Sequence, residues 1–155
     1  MKLTFLSVGK PREAWVRAGV GHYAAMLKKY AQCEWVRVPQ AAGALAPDRA
    51  MALESQRLSE VLAKLNGWIV ACDRQGTALP SEEFAKKLRR ESDRHSGRVV
   101  VVIGGPHGLD TSLVKNAHFV WSFGPGTLPH ELALVVAAEQ MARALSILRG
   151  DQYHK

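Results

Sequence analysis

The sequence has little of what marks secreted or membrane proteins. Cysteine occurs only as Cys33 and Cys72, and two thiols without Cys-x-x-Cys spacing do not make a disulfide framework. Free thiols of this kind fit a reducing cytoplasm. No apolar run approaches the roughly 20 residues that a membrane-spanning helix needs. The apolar start of the chain ends at Gly9-Lys10-Pro11, which is too early for a signal peptide and favours a first core strand.

Acidic residues are also scarce relative to basic ones. The 155 residues include 14 Asp and Glu against 21 Lys and Arg, which gives a formal net charge of +7. A basic surplus fits a polyanionic partner, because cationic side chains that bind phosphates release condensed counterions. Many basic proteins bind no nucleic acid, so charge alone leaves that partner open. The length predicts one domain, and the 47% hydrophobic content is ordinary for a globular protein.

Several motifs of common enzyme classes are missing. The chain has no Gly-x-Gly-x-x-Gly dinucleotide fingerprint, no Walker loop and no Gly-x-Ser-x-Gly serine-hydrolase elbow. His22, His95 and His118 show no metal-ligand spacing with other histidines, cysteines or carboxylates. These absences exclude a P-loop nucleotide-binding enzyme and a serine hydrolase of the nucleophile-elbow type, and they make a Rossmann oxidoreductase a distant alternative. The histidine spacing predicts no metal site.

What the sequence does contain is an alternation of apolar runs and helical segments. The periodicity predicts strands at 2–8, 34–38, 68–72, 98–103 and 118–122, and helices at 11–30, 48–65, 81–94 and 130–148. Asp48 and Ser81 are the predicted helix caps. The alternation predicts an α/β fold with a mainly parallel five-stranded sheet and flanking helices. The β-branched run RVVVVI at 98–103 is typical of a central strand that is buried on both faces.

Two glycine-bearing loops follow predicted strands. IGGPHGL occupies 103–109 at the end of the central strand, and FGPGTLP occupies 123–129 after the last strand. Ligands of open α/β sheets bind beyond the carboxyl ends of the strands, and glycine lets the backbone approach a ligand closely. Either loop alone fits a tight turn or a connector, whereas the pair predicts one shared ligand site.

The last helix and the tail supply the other candidates. The helix at 130–148 is apolar on nearly every side and must be covered on more than one face, for which a second subunit is a natural cover. Glu139 and Arg143 stand four residues apart, so they either pair with each other or leave Arg143 facing a phosphate or a substrate base. The tail at 149–155 combines Tyr153 and His154 with cations. Such groups hold unstacked RNA bases, although a loose terminus is usually uninformative.

Taken together, these motifs resemble one family. IGGPHGL, SFGPGTLPHELA, EQMARAL and the terminal RGDQYHK are similar to the ribosomal RNA large subunit methyltransferase H family of the SPOUT class, and the resemblance runs from the opening MKLTFLSVGK to the end of the chain. The resemblance implies S-adenosylmethionine-dependent methylation of N3 of a pseudouridine in helix 69 of 23S rRNA, on the assembled ribosome or large subunit. It also implies a homodimer and a C-terminal trefoil knot. The residue pattern alone would not predict a knot, because folded chains almost never thread through their own loops.

The resemblance also assigns the residues. It implies one SPOUT domain over 1–155, with 98–148 the knotted cofactor-binding part and 149–155 the RNA-facing tail. The implied cofactor contacts are Cys72, Gly104, Phe123, Gly124, Pro125, Gly126, Thr127 and Leu128. Family members usually carry leucine where Cys72 stands, which matters little if the contact is made by backbone.

The candidate catalytic residues are His130, Arg143, Tyr153 and His154. N3 of pseudouridine is a weak acid, so a nearby group must take its proton or offset the charge that develops. Arg143 is expected to stabilise the developing anion, Tyr153 to stack on the base, and His154 to act as the base or to hold a phosphate. The alternatives are a SPOUT methyltransferase that acts on another RNA such as tRNA, and an RNA-binding module without catalysis.

Overall fold

The computed structural model describes residues 1–151 and residue 153, and strands alternate with helices along the whole chain. The strands are β1 Lys2–Val8, β2 Gln32–Val38, β3 Trp68–Thr77, β4 Arg98–Ile103 and β5 Phe119–Trp121. The helices are α1 Ala14–Leu27, α2 Pro47–Leu62, α3 Ser81–Arg94, α4 Thr111–Asn116 and α5 His130–Arg149. This pattern confirms the predicted α/β class. No helix among the described residues is both long and apolar enough to cross a membrane.

The five strands form one sheet in the order β2-β1-β4-β3-β5, and every pair is parallel. β4 lies in the centre, and all of its residues except Arg98 are buried, as its β-branched run predicts. Because the strands are parallel, their carboxyl ends meet at one edge of the sheet. The order places the segments that follow β4, β3 and β5 side by side at that edge. The trefoil knot stays a prediction.

Two apolar layers cover the two faces of the sheet. One layer packs α1, α3 and α5 against the sheet and contains most of the large aromatic side chains. Within it the rings of Phe84 and Trp121 stack with centroids 3.7 Å apart and an interplanar angle of 9°. The other layer packs the apolar side chains of α2 and α4, including Leu58 and Leu113, against β1 and β4. The sheet is therefore buried on both faces, which parallel sheets require.

The last helix is covered by its own chain. α1 and α3 both pack along α5, and every residue at 130–148 is buried or half-buried. Gly19 of α1 allows this close crossing, since a Cβ there would lie 3.2 Å from Val135 of α5. The prediction that α5 is covered on more than one face is confirmed, but α1 and α3 supply that cover, so the homodimer stays a prediction.

The predicted helix caps are wrong. Ala46 and Pro80 precede the first residues of α2 and α3, so Asp48 and Ser81 lie inside the first turn and make no capping hydrogen bond. Ser81 Oγ instead donates to Gln140 Oε1 at 3.2 Å, which ties α3 to α5. A proline at or before the first helical position sets the backbone entry without a side-chain cap.

Several element ends also differ from the predicted ones. α1 spans 14–27 rather than 11–30, because residue 13 is still extended and residues 28–30 form a turn. β3 continues to Thr77 past an irregularity in its pairing with β5. Gly76 permits this extension, since a Cβ there would lie 2.5 Å from the Val120 carbonyl oxygen.

Candidate active site

A cavity of about 260 Å³ opens at the carboxyl edge of the sheet. Its volume is near the lower end of the range for small-molecule sites. Residues 72–74 of β3, the loops that follow β4 and β5, and the start of α5 form its walls. The lining residues are Cys72, Asp73, Arg74, Ile103, Gly104, Gly105, Pro106, His107, Gly108, Leu109, Trp121, Phe123, Gly124, Gly126, Thr127, Leu128, His130 and Ala133.

The loop after β4, residues 104–109, is a tight turn that we call the glycine loop. The Gly108 N–H donates to the Gly105 carbonyl at 3.0 Å, and Gly108 has a φ of +86°, which favours glycine. Gly104 is crowded by the same turn, because a Cβ there would lie 2.6 Å from the backbone of Gly108. Backbone therefore forms this wall of the cavity, with no room for a side chain at position 104.

The far end of the glycine loop is held by α2 and α4. The Asp110 N–H donates to Ser55 Oγ of α2 at 2.9 Å. The Asp110 carboxylate in turn accepts the Leu113 N–H at 2.7 Å and so caps α4. The loop is thus fixed at its exit as well as within its turn, which keeps the cavity preformed.

The loop after β5, residues 123–129, is organised by a serine that the sequence did not single out. Ser122 is buried, and its hydroxyl bonds to the Arg74 carbonyl at 3.2 Å and to the Gly124 carbonyl at 3.0 Å. The Gly124 N–H also approaches Ser122 Oγ at 3.1 Å, and Gly124 has a φ of +123°. Ser122 therefore joins β3 at Arg74 to the loop after β5.

The structure brings almost all of the predicted cofactor residues to this one cavity. Cys72, Gly104, Phe123, Gly124, Gly126, Thr127 and Leu128 line it, whereas Pro125 is exposed and is not part of its lining. Sequence reasoning missed Asp73 and Arg74, which follow Cys72 within β3 and line the cavity. The rule that ligands bind beyond the carboxyl ends of parallel strands could have found them, because they directly follow the strand predicted at 68–72.

The chemistry of the lining suits a nucleoside. Apolar side chains such as Leu109, Trp121 and Phe123 can flank a flat ring, while the loops present backbone N–H and C=O groups to its polar edge. Cys72 does not add a nucleophile, because burial raises the pKa of its thiol and keeps it protonated. The described residues contain no cluster of three or more His, Cys, Asp or Glu side chains suited to a metal ion.

His130 lies where the cavity meets the start of α5. Burial lowers the pKa of its imidazole from the ordinary 6.5 and nearby Arg12 acts in the same direction, while the charges of Glu131 and Glu54 oppose the shift. His130 is therefore neutral at neutral pH, and a neutral imidazole can accept a proton.

Arg143 and Tyr153 belong to a separate cluster further along α5. Arg143 donates to Glu139 Oε1 from Nε at 2.9 Å and from Nη2 at 2.6 Å, which is the internal ion pair that the spacing allowed. The Tyr153 hydroxyl donates to the same Glu139 oxygen at 3.2 Å, and the Arg143 guanidinium lies 5.2 Å from the centre of the Tyr153 ring. Burial and the Glu139 charge raise the pKa of Tyr153 to about 12, so its phenol keeps its proton. His154 lies outside the described residues.

Within one chain the two groups of candidates do not meet. Arg143 follows His130 by thirteen residues on one helix, which separates them by about 20 Å because an α-helix rises about 1.5 Å per residue. His130 lines the cavity, and neither Arg143 nor Tyr153 does. His130, Arg143 and Tyr153 are named together as catalytic candidates from the sequence. Within one chain, however, α5 keeps His130 apart from the other two.

Comparisons with known proteins agree with this architecture. A family model described as "Predicted SPOUT methyltransferase" matches residues 1–154. A ribosomal RNA large subunit methyltransferase H from Desulfovibrio desulfuricans is 40% identical over 98% of this chain and 96% of its own length. The protein of that name from Limosilactobacillus fermentum is 36% identical over the full length of both chains.

Solved structures show the same fold. A probable methyltransferase from Bordetella pertussis superposes with a TM-score of 0.57 at 24% identity, covering 92% of this chain and 95% of that one. A methyltransferase from Legionella pneumophila, solved with its cofactor SAM bound, gives a TM-score of 0.54 at 12% identity over 96% of this chain and 66% of its own. With the family model and the full-length relatives, these findings place the chain among the SPOUT methyltransferases, in the ribosomal RNA large subunit methyltransferase H family.

Proposed function

We propose that this protein transfers the methyl group of S-adenosylmethionine to N3 of a pseudouridine in helix 69 of 23S rRNA. The observation that carries the proposal is the preformed cavity between the two glycine-bearing loops, with the neutral imidazole of His130 at its edge. The names of the full-length relatives support ribosomal RNA of the large subunit as the substrate. The pseudouridine and its N3 atom rest on the motif resemblance.

The cavity fits the cofactor. The close turn at Gly104, which a Cβ would fill, lets backbone approach a ligand, and the apolar walls accept an adenine ring. We propose that Cys72, Gly104, Phe123, Gly124, Gly126, Thr127 and Leu128 hold it, with Pro125 shaping the second loop from outside. When bound, S-adenosylmethionine supplies an electrophilic methyl group on its sulfonium.

The chain's own residues then have two tasks, to position the base and to manage the N3 proton. Holding two reactants in line can supply a large part of the rate. His130 is the candidate that lies at the cavity, and its low pKa leaves it free to accept the proton. Arg143 and Tyr153 would stabilise the developing anion and stack on the base, and His154 would assist as base or phosphate ligand.

We propose further that the RNA site is composite and that the protein works as a homodimer. The separation of about 20 Å between His130 and Arg143 on one helix prevents both from reaching one nucleotide within a chain. A second protomer can bring its Arg143, Tyr153 and 149–155 tail to the cavity of the first.

The partner is 23S rRNA in the assembled ribosome or large subunit, and the protein binds it in the cytoplasm. The net charge of +7 favours such a polyanion and predicts an affinity that falls with salt.

The proposed function is tested on the RNA itself. Nucleosides of ribosomes from cells with and without this protein are mapped by mass spectrometry, and we expect one methylated pseudouridine to disappear with the protein. Purified protein should methylate ribosomes and not bulk tRNA. Methylation of tRNA alone would point to the other RNA substrate, and the absence of any transfer would favour an RNA-binding module.

The tail and the composite site are tested by variants. Tyr153→Ala and His154→Ala should lower methylation of ribosomes while cofactor binding persists, and full methylation by both variants would overturn the role of the tail. Mixed dimers that combine Gly104→Ala in one subunit with Arg143→Ala in the other should regain activity that neither homodimer has. Mixtures that stay inactive would count against the composite site.

A further inference from the structure

A buried carboxylate of α2 lies behind the cavity, near enough to His130 for its charge to act on the pKa of that imidazole. Glu54 is in the middle of α2, and only 1% of its surface is exposed. Its Oε1 accepts the Ala41 N–H at 2.9 Å. Its Oε2 is also buried and has no hydrogen-bond partner among residues 1–151 and 153. Burying a carboxylate oxygen without a donor is unfavourable, so such an atom calls for an explanation.

The unpartnered oxygen lies directly behind the wall of the cavity. Gly105 is a lining residue, and a Cβ added to it would collide with the Glu54 carboxylate, whose Cδ it would meet at 3.0 Å. The neighbouring Ser55 holds the exit of the glycine loop through the Asp110 N–H. Two consecutive buried side chains of α2 thus support the glycine loop, and one of them carries a carboxylate.

Within the described part of the chain, no lysine or arginine forms an ion pair with Glu54. A charge in such a poorly solvated place acts over a longer distance than one in water, because the effective dielectric constant is lower. Asp73 also lines the cavity, but it is partly exposed, beside Arg74, and its Oδ1 already accepts the Gln75 N–H at 2.8 Å. Of these two carboxyl groups, Glu54 is the one with an oxygen at the glycine loop that has no donor among the described residues.

We infer that Glu54 is a positioning residue that makes the cavity prefer a cationic cofactor over its neutral demethylated form. The inference rests on the proposed use of S-adenosylmethionine. In the transfer the S–CH₃ bond breaks, its electron pair stays on sulfur, and the sulfonium becomes a neutral thioether as the N3–CH₃ bond forms and the N3 proton leaves to a base. The carboxylate behind Gly105 favours the cationic cofactor and adds little to the binding of neutral S-adenosylhomocysteine, which must be released.

The test compares two ligands on matched variants by isothermal titration calorimetry. In Glu54→Gln the side chain keeps its shape and its acceptor for Ala41 but loses the charge. We expect the Kd for S-adenosylmethionine to rise about fivefold and that for S-adenosylhomocysteine to change less than twofold, as loss of one charge at moderate effective dielectric predicts. Ser55→Ala is the control, since it loosens the glycine loop without a change of charge and should weaken both ligands by the same factor.

Glu54→Met provides a second charge-free variant, because an apolar side chain of similar length needs no buried donor. It leaves the Ala41 N–H without its acceptor, so a thermal melt checks that the variant is folded before its ligands are measured. Equal changes for the two ligands in the charge-free variants would overturn the inference and leave Glu54 a support of the loop alone. That result leaves the proposed function intact as long as the wild-type protein binds S-adenosylmethionine. A wild-type protein that binds neither ligand would overturn both.

Discussion

Arg143 and Glu139 are joined on the surface of α5 by two hydrogen bonds from one guanidinium to a single carboxylate oxygen. The Nε and Nη2 atoms lie 2.9 and 2.6 Å from Glu139 Oε1, and 28% of the Arg143 side chain remains exposed. The pair raises the pKa of Arg143, chiefly through the hydrogen bond with Glu139. Glu139 thus holds the arginine in one orientation while leaving part of it open to a second partner.

Arg143→Ala should abolish most of the methylation without weakening cofactor binding. Removal of one group that stabilises a developing anion costs on the order of a hundredfold in rate, and Arg143 does not line the cavity. Single-turnover methylation of ribosomes and calorimetry with S-adenosylmethionine measure the two effects. Arg89→Ala is the control, because Arg89 also makes an i,i+4 ion pair, with Asp93 on α3, although there the arginine comes first. Equal losses in the two variants would indicate a general effect of charge rather than a role in transfer.

Gly104→Ala should destroy the cavity, whereas Gly126→Ala should be tolerated. A Cβ at position 104 would lie 2.6 Å from the backbone of Gly108, so the glycine loop must shift, while nothing lies within 4 Å of a Cβ at position 126. We expect the Kd for S-adenosylmethionine to rise more than tenfold in the first variant and about twofold or less in the second, since shape complementarity decides such sites. Similar affinities for the two variants would contradict the assignment of the glycine loop to the cofactor.

The protein should become less stable as the pH falls below 6.5, partly through His118. Its Nδ1 accepts the Ile69 N–H at 2.9 Å, and burial together with the neighbouring His95 lowers its pKa from 6.5. The unfolded chain therefore binds the proton first, and the free energy of unfolding declines as the pH falls from 6.5 through the lower folded value. Thermal melts between pH 7.5 and 5 measure the slope.

His118→Asn should flatten that slope, because asparagine can accept the same N–H and does not titrate. His22→Asn is the control, since His22 is an exposed histidine and its variant shows what the same substitution does at the surface. A slope that persists in His118→Asn would assign the effect to other groups, among which His130 also has a lowered pKa.

The aromatic layer under the cavity should couple stability to cofactor binding. Trp121 stacks on Phe84 and meets the edge of Phe123, with ring centroids 4.8 Å apart, and Phe123 lines the cavity. Phe84→Ala should cost about 3–5 kcal/mol in urea denaturation, the usual penalty for emptying a phenylalanine site, and should also weaken the cofactor. Phe119→Ala, at a half-buried ring of the same layer, should cost less and leave the affinity unchanged. A normal affinity in Phe84→Ala would show that the cavity does not depend on this stack.

Local patterns in the sequence were enough for the fold class and for the edge of the sheet at which the cavity lies. The β-branched run at 98–103 could only be a strand covered on both faces, and glycines that follow parallel strands had to meet at one edge of the sheet. The family resemblance assigned the cofactor contacts to Cys72 and to the two glycine-bearing loops. All of these predicted contact residues except Pro125 line one cavity. Such features depend on residues that are near each other in the chain.

Only the tertiary structure decided which distant residues share an environment. Ser122 ties the loop after β5 to β3 through the Arg74 carbonyl, and Glu54 lies against Gly105, which is 51 positions away in the sequence. No local pattern encodes those contacts, because the packing of separate elements brings them together.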